Sequence, residues 1–126
     1  MAADLVVVAT PMIRASYSGV LKLFLDRLPD AALDGTAVMP LTLAPERSQR
    51  PAADLQLRPV LASLGACMPV ASFLVDQGEL ADVAVLADAW ADRNAGLVIA
   101  AVDEFRRLRR PAGRSYTASD HRPANT

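Results

Sequence analysis

The sequence has few of the residues on which metal and nucleophilic chemistry depend. It contains one Cys, Cys67, and one His, His121, in 126 residues. A single thiol cannot form an internal disulfide, and one His gives little support for a metal site or a Ser-His-Asp triad. Because Cys67 leads into an apolar run, we expect it to be a buried and inert thiol. The sequence therefore argues against a disulfide-rich protein and against a metal centre.

Long apolar runs and aromatic residues are also scarce. No run approaches the roughly 18–20 residues that a membrane-spanning helix needs, and the N-terminus lacks the basic segment that opens a signal peptide. Aromatic residues make up only 5% of the chain. The Arg residues from Arg106 onward therefore lack the aromatic partners that a nucleic-acid surface offers. We expect a cytoplasmic protein that binds neither a membrane nor nucleic acid.

Apolar residues are what the chain has in quantity. They make up 52% of the sequence, against 21% charged residues and a formal net charge of −1. This composition excludes an intrinsically disordered protein and predicts one globular domain. The end of the chain is different, because Arg, Pro, Gly and Ser follow one another there without periodicity. We therefore predict a domain over residues 1–108 and a disordered basic tail over residues 109–126.

Strands and helices alternate in the apolar pattern. Strands are predicted at 4–9, 36–43 and 68–75, and helices at about 20–28, 52–64 and 88–108. The first strand is an uninterrupted apolar run rich in Val, which is typical of a strand covered on both faces of a parallel sheet. Thr10-Pro11 is expected to end it. The order β-α-β-α-β-α predicts an α/β fold with a parallel sheet and right-handed crossovers.

The segment after the first strand is the most informative loop, because ligands of open α/β sheets bind beyond the carboxyl ends of the strands. Thr10 to Gly19 brings hydroxyls and backbone amides together before a helix, an arrangement suited to an anion or to the polar edge of a planar ligand. On the residues alone, a helix entry capped by Ser16 or Ser18 is the favoured interpretation. No Gly-rich phosphate loop occurs and the carboxylates are scattered, so no catalytic residue is identified.

The same segment resembles a known family. The chain reads ATPMIRASYSGVLK from Ala9, followed by Leu25-Asp26 and Leu28-Pro29. This is similar to the pattern A-T-P-x-Y-[KR]-x-[AS]-Y-[ST]-G-x-L-K-x-x-L-D-x-L-P of the NADPH-dependent FMN reductases, in particular the sulfonate-utilisation flavin reductases. The similarity continues through VMPL from Val38 and LRPVLASLG from Leu57, so that it covers about residues 3–75.

The resemblance implies a three-layer flavodoxin-like fold, truncated so that the first two strands of the family are lacking. It implies an NAD(P)H-dependent FMN reductase with FMN and NADPH as cofactors, no metal, and a flavin-dependent monooxygenase as a possible recipient of the reduced flavin. By position, the flavin would be bound by Thr10, Pro11, Met12, Ile13, Arg14 and Ser16, and by Thr42, Leu43, Ala44 and Pro45. Arg14 would stabilise negative charge on the reduced ring.

Some features differ from the family pattern. The Ser-rich loop that holds the FMN phosphate has no counterpart, Ile13 stands at a Tyr position, and Ala44-Pro45-Glu46 replaces a Gly-Gly loop. A truncated, non-catalytic flavodoxin-like module for binding or assembly is therefore an alternative. We expect a homo-oligomer formed through the exposed first strand or the helices. A regulatory domain resembling response regulators is a third interpretation, disfavoured because no acidic cluster follows the first strand.

Overall fold

The computed structural model describes residues 3–109, which form a four-stranded sheet with helices on both faces. The elements are β1 (Leu5–Ile13), β2 (Ser16–Tyr17), α1 (Gly19–Leu25), β3 (Ala37–Ala44), α2 (Arg50–Ser63), β4 (Phe73–Asp76) and α3 (Val83–Arg109). The strand order is β2-β1-β3-β4, with β1, β3 and β4 parallel and β2 antiparallel to β1. The predicted α/β fold with a parallel sheet is confirmed, and β2 is an addition to it.

Two short 3-10 turns, Arg47–Gln49 and Gln77–Asp82, lead into α2 and α3. The sequence leaves residues 79–87 undecided between loop and helix, and the structure divides them between the second 3-10 turn and the start of α3. No helix within residues 3–109 is long and apolar enough to cross a membrane. The sequence predicts the basic tail over residues 109–126. Its first residue, Arg109, is the last residue of α3, and residues 110–126 lie outside the described part of the chain.

The main core lies between one face of the sheet and helices α1 and α2. Side chains alternate along a strand, so Val8 of β1 and Val38 of β3 point to this face together. Leu25 of α1 and Leu57 and Leu61 of α2 pack against them. The sequence periodicity places Leu57, Val60, Leu61 and Leu64 on one stripe of the second predicted helix. Leu57 and Leu61 have no exposed surface, which confirms the centre of that stripe.

Helix α3 covers only part of the opposite face. It packs over β3 and β4, where the ring of Trp90 meets that of Phe73 edge to face, with centroids 5.9 Å apart. Leu5, Val7 and Ile13 of β1 point to the same side of the sheet and are about half exposed. The expectation that the first strand is covered on both faces is therefore wrong for the described residues.

β1 is longer than predicted. It continues through Pro11 to Ile13, so the expectation that Thr10-Pro11 ends the strand is wrong. Pro11 pairs with Leu43 of β3. A proline is tolerated in a strand where its missing N–H would face an outer edge. Among the described residues, the edge of β1 away from β3 is paired only at Met12 and Ile13, next to Pro11.

The last strand is shorter than predicted. The structure has a strand at Phe73–Asp76 instead of residues 68–75. The preceding backbone is held by Arg58 of α2, whose guanidinium donates to the carbonyl oxygens of Met68 and Val70 at 3.5 Å and 3.3 Å. Those carbonyls are satisfied by a side chain rather than by a neighbouring strand, so a strongly apolar run forms an irregular segment.

Helix α1 exposes part of the stripe predicted for it. Ser18 caps the helix, its Oγ accepting a hydrogen bond from the backbone N–H of Leu21 at 3.2 Å. Leu25 is buried, but Val20 is 78% exposed and Phe24 is also exposed. The sequence periodicity places Val20, Leu21, Phe24, Leu25 and Leu28 on one face of the predicted helix, and the structure buries only part of that face. The helix reaches the core through one side only and presents apolar side chains on the other.

A two-residue hairpin joins β1 to β2. Its turn residues Arg14 and Ala15 have φ values of +50° and +64°, as a type I′ turn requires at both positions. Gly and Asn are the usual residues there, because a Cβ atom makes the left-handed region unfavourable by about 1–2 kcal/mol per residue. The turn therefore carries strain that the rest of the fold offsets.

Replacing Ala15 by Gly should relieve part of this strain. We expect Ala15→Gly to raise the free energy of unfolding by about 1 kcal/mol in urea titrations. The matched control is Ala100→Gly on the exposed side of α3, where the same change should lower the free energy of unfolding by about 1 kcal/mol. A loss of stability in both variants would contradict the strain argument.

Candidate functional site

The residues predicted to contact a flavin lie at the carboxyl ends of β1 and β3, but they divide between two faces of the sheet. Pro11, Ile13 and Leu43 point to the face that α3 leaves partly open, since Pro11 and Leu43 are partners in adjacent strands. Ile13 is 54% exposed and Pro11 is exposed, while Leu43 is half-buried. Together they form an apolar patch on adjacent strands.

Two exposed residues lie in the loops next to this patch. Arg14 is in the hairpin turn that follows β1, and Pro45 directly follows β3. Both are exposed. No acidic side chain within residues 3–109 forms an ion pair with Arg14. Its charge is therefore not neutralised within the described part of the chain.

The other predicted contacts are buried on the opposite face. Thr10 and Met12 of β1 and Thr42 and Ala44 of β3 point toward α2 and have little or no exposed surface. Met12 and Ala44 pack together with Ala52. The Thr42 hydroxyl is buried and has no hydrogen-bond partner among the described residues. The structure therefore does not bring these four side chains to the surface patch.

The hydroxyl groups near the hairpin are already engaged. Ser16 Oγ donates to Oε1 of Gln56 at 2.6 Å. Thr10 Oγ1 accepts from the backbone N–H of Ser18 at 3.1 Å and donates to the carbonyl oxygen of Pro11 at 3.0 Å. These bonds fix the hairpin and the start of α1, and they leave few free donors for a ligand anion.

An ion cluster that the sequence analysis missed joins the start of α2 to the end of β4. Arg50 Nη2 donates to Asp76 Oδ2 at 2.6 Å and also contacts Glu79 Oε2. The two carboxylates form a capping box, in which the backbone N–H of Asp76 donates to Glu79 and that of Glu79 donates to Asp76. The spacing D-x-x-E could have revealed the cap, but nothing in the sequence links it to Arg50.

Hydrogen bonding controls the charge of this cluster. The bond from Arg50 holds the pKa of Glu79 below its ordinary value of 4.5, with burial opposing part of the shift. The bond to Glu79 raises the pKa of Arg50, burial opposes the shift, and the bond to Asp76 adds to it. Arg50 and Glu79 are therefore both charged at neutral pH. Arg50 is the first residue of α2, so the loop between β3 and α2 ends at this cluster. The ion pairs therefore hold the end of that loop against β4.

Sequence comparison identifies the family to which these elements belong. The profile of the NADPH-dependent FMN reductases matches residues 1–80. The chain belongs to this family. The FMN reductase (NADPH) of Escherichia coli strain K12 is 40% identical over 80 residues, and that of Pseudomonas putida strain KT2440 is 37% identical over 79 residues. These matches cover 64% and 63% of this chain, but only 42% and 40% of the relatives.

Solved structures agree with this membership of the FMN reductase family. The apo form of an NADH:FMN oxidoreductase is 38% identical, with a TM-score of 0.62, and the match covers 84% of this chain and 54% of that one. An oxidoreductase from Corynebacterium diphtheriae is 30% identical, with a TM-score of 0.67, over 81% of this chain and 57% of its own. The flavodoxin-like fold is therefore confirmed. The chain spans about two fifths of the length of the curated relatives.

The described residues fit one part of the cofactor that the FMN reductase family implies. Pro11, Ile13 and Leu43 offer an apolar surface of the kind that holds a flat ring, with the cation of Arg14 nearby. A phosphate needs several free donors, and the hydroxyl donors of Thr10 and Ser16 near the hairpin are already engaged. Within residues 3–109, the side chains of this patch therefore suit a flat ring better than a phosphate group.

Proposed function

We propose that this chain is an NADPH-dependent FMN reductase, or the part of one that binds the flavin ring. The observation that carries the proposal is the apolar patch of Pro11, Ile13 and Leu43 beside Arg14 at the carboxyl ends of adjacent strands. Ligands of open α/β sheets bind at these ends. The names of the curated relatives support the same activity.

In this proposal the protein positions the cofactor and controls its surroundings. Bound FMN supplies the ring that accepts a hydride from a nicotinamide nucleotide. Pro11, Ile13 and Leu43 hold that ring and exclude water from one of its faces. Arg14 places a positive charge where the reduced ring carries negative charge. The backbone of Ala44 and Pro45 borders the same edge of the sheet, while the side chains of Thr10, Met12, Thr42 and Ala44 support the strands from behind.

The proposal includes an assembly and a partner. Exposed apolar side chains lie on both faces of the sheet, Leu5 and Val7 of β1 on one and Leu23 and Phe24 of α1 on the other, and they support a homo-oligomer. We also propose that the reduced flavin passes to a flavin-dependent monooxygenase, as the resemblance to the sulfonate-utilisation flavin reductases implies. We also place the protein in the cytoplasm, where a single reduced Cys is ordinary. Light scattering of the purified chain tests the oligomer directly.

The activity is tested on the purified chain mixed with FMN. We expect the flavin absorbance band to shift on binding, and we expect the absorbance of NADPH to fall once the nucleotide is added. NADH should be compared in parallel, since the solved relative is named for NADH and the curated relatives for NADPH. A folded chain that binds no FMN and oxidises neither nucleotide would favour the non-catalytic alternative.

A substitution in the apolar patch tests the ring-binding site itself. Ile13→Glu should weaken FMN binding at least about tenfold, because it would bury a carboxylate against the ring and remove apolar contact. The exposed side chain of Ile13 lets the variant fold. Leu80→Glu is the matched control, an exposed Leu in the 3-10 turn before α3, and it should bind FMN as the wild type does. Equal loss in both variants would contradict the assignment.

A further inference from the structure

A cavity lies at the β4 edge of the sheet, away from β1. It has a volume of about 240 Å³ and is lined by residues of β4, α3 and the start of α2. β4 pairs with β3 on one side, and no other described strand covers its outer edge. None of the residues predicted to contact the flavin lines this cavity. The cavity is therefore distinct from the proposed FMN site.

One wall of the cavity is apolar and aromatic. Leu86 and Trp90 lie one turn apart on α3, and Phe73 and Leu74 of β4 are next to them. The edge-to-face contact between Trp90 and Phe73 has an interplanar angle of 64°, which fixes the orientation of the indole ring. A preoriented indole offers a flat surface on which a second planar ring can stack at little entropic cost.

One cation of the cavity lining has no carboxylate partner. Arg50 and Glu79 both line the cavity, but they are paired with each other in the ion cluster, whose net charge is −1 because Asp76 is its third member. Arg93 donates from Nε to the carbonyl oxygen of Ala89 at 3.2 Å. Its guanidinium has no carboxylate partner within residues 3–109. The two Nη groups of Arg93 are therefore free to bind an anion beside Trp90.

We propose that this cavity binds a small aromatic carboxylate, with its ring on Trp90 and its carboxylate on Arg93. The planar guanidinium of Arg presents paired N–H groups that match a carboxylate in two hydrogen bonds. The volume lies below the roughly 300–1,000 Å³ typical of pockets for drug-sized ligands. A compound with one ring is therefore the size that the cavity accepts. The site does not depend on the proposed reductase activity.

The protein carries its own reporter for this site. Trp90 is the only Trp in the chain, so its fluorescence and its indole N–H resonance report on the cavity alone. Benzoate is the probe, titrated into the full chain with excitation at the red edge of the Trp absorption. Benzamide, which lacks the charge, and cyclohexanecarboxylate, which lacks the aromatic ring, are compared under the same conditions.

We expect benzoate to change the Trp90 signal saturably in both measurements. Benzamide should bind about tenfold or more weakly, because hydrogen bonds to charged groups contribute about 1.5–3 kcal/mol. Cyclohexanecarboxylate should bind several-fold more weakly, because it cannot form the aromatic contact. A signal that does not saturate, or equal affinity for benzoate and benzamide, overturns the proposal. Displacement of benzoate by FMN also overturns it, since the cavity would then belong to the flavin site.

Two substitutions on α3 test whether a loss of benzoate affinity is specific to Arg93 or follows from any loss of an Arg on this helix. Arg93→Gln should lower benzoate affinity about tenfold and leave the folded state intact, because the side chain is exposed. Arg107→Gln is the control, since it is the same change about 21 Å farther along the helix axis. It should leave benzoate affinity unchanged. Equal effects of the two variants overturn the assignment of the carboxylate to Arg93.

Discussion

Leu57→Ala is expected to lower the free energy of unfolding by about 3 kcal/mol. Leu57 has no exposed surface and lies in the core with Val8, Val38, Leu25 and Leu61. Truncation removes apolar contacts and leaves a cavity that rigid neighbours on the sheet and on two helices cannot fill by collapsing. The fold of a chain this small has only about 5–15 kcal/mol in total. Equilibrium unfolding in urea measures the loss.

Leu55→Ala is the matched control for this prediction. Leu55 lies on the same helix two residues earlier, and its side chain is 73% exposed. The helix propensity and the size of the change are the same, so only burial differs between the two positions. We expect Leu55→Ala to change the free energy of unfolding by no more than about 0.5 kcal/mol. Similar losses at both positions would contradict the placement of α2 against the sheet.

The order of the strands and helices can be predicted from the sequence better than the elements that each of them packs against. The apolar run from Leu5 and the stripe around Leu57 are local patterns, and both correspond to elements in the structure. Burial of the first strand on both faces depends on what else covers it, and α3 packs over β3 and β4 instead. An apolar pattern shows what a face is suited to contact. It does not show which element of the described chain supplies the contact.

Pro11 and Arg58 show why the ends of strands are difficult to predict. Proline is read from sequence as the end of a strand, yet Pro11 continues β1 at an edge where its missing N–H costs little. The run after Met68 is apolar enough for a strand, but Arg58 from another element takes two of its carbonyl oxygens. Both outcomes depend on neighbours distant in sequence, which local propensity does not encode.

The candidate site is predicted in position but not in detail. The carboxyl ends of two strands come together as the order of the elements requires, so Pro11, Ile13 and Leu43 meet on one face. The alternation of side chains then turns Thr10 and Thr42 to the other face. Prediction by resemblance assigns whole loops and does not separate the two faces.

Replacing Arg50 by Met is expected to lower the free energy of unfolding by about 3 kcal/mol at neutral pH, because breaking a buried ion pair leaves a carboxylate unpaired. Arg50 and Asp76 have side chains that are only 18% and 10% exposed. Methionine fills part of the space of the Arg stem, but it leaves the charges of Asp76 and Glu79 side by side. Asp76 is too little exposed for water to replace the hydrogen bond that Arg50 donates to it.

Two further variants test whether the charge of Arg50 is the cause. Arg47→Met changes an exposed Arg in the 3-10 turn just before α2, and we expect an effect within about 0.5 kcal/mol. Arg50→Lys keeps a positive charge but cannot form the same pair of planar hydrogen bonds. Its stability should fall between those of the wild type and Arg50→Met.

The pH dependence distinguishes loss of the ion cluster from simple loss of packing. Glu79 has a lowered pKa in the folded protein, because Arg50 donates a hydrogen bond to its carboxylate. This contribution is fully present above the ordinary Glu value of 4.5 and is lost as the pH falls through the lower folded value, since the unfolded chain takes up the proton first. Arg50→Met removes the largest cause of the lowered pKa, so that contribution is lost. The stability difference between the wild type and Arg50→Met should therefore shrink on acidification below pH 4.5, whereas a difference that stays constant would assign the effect to packing alone.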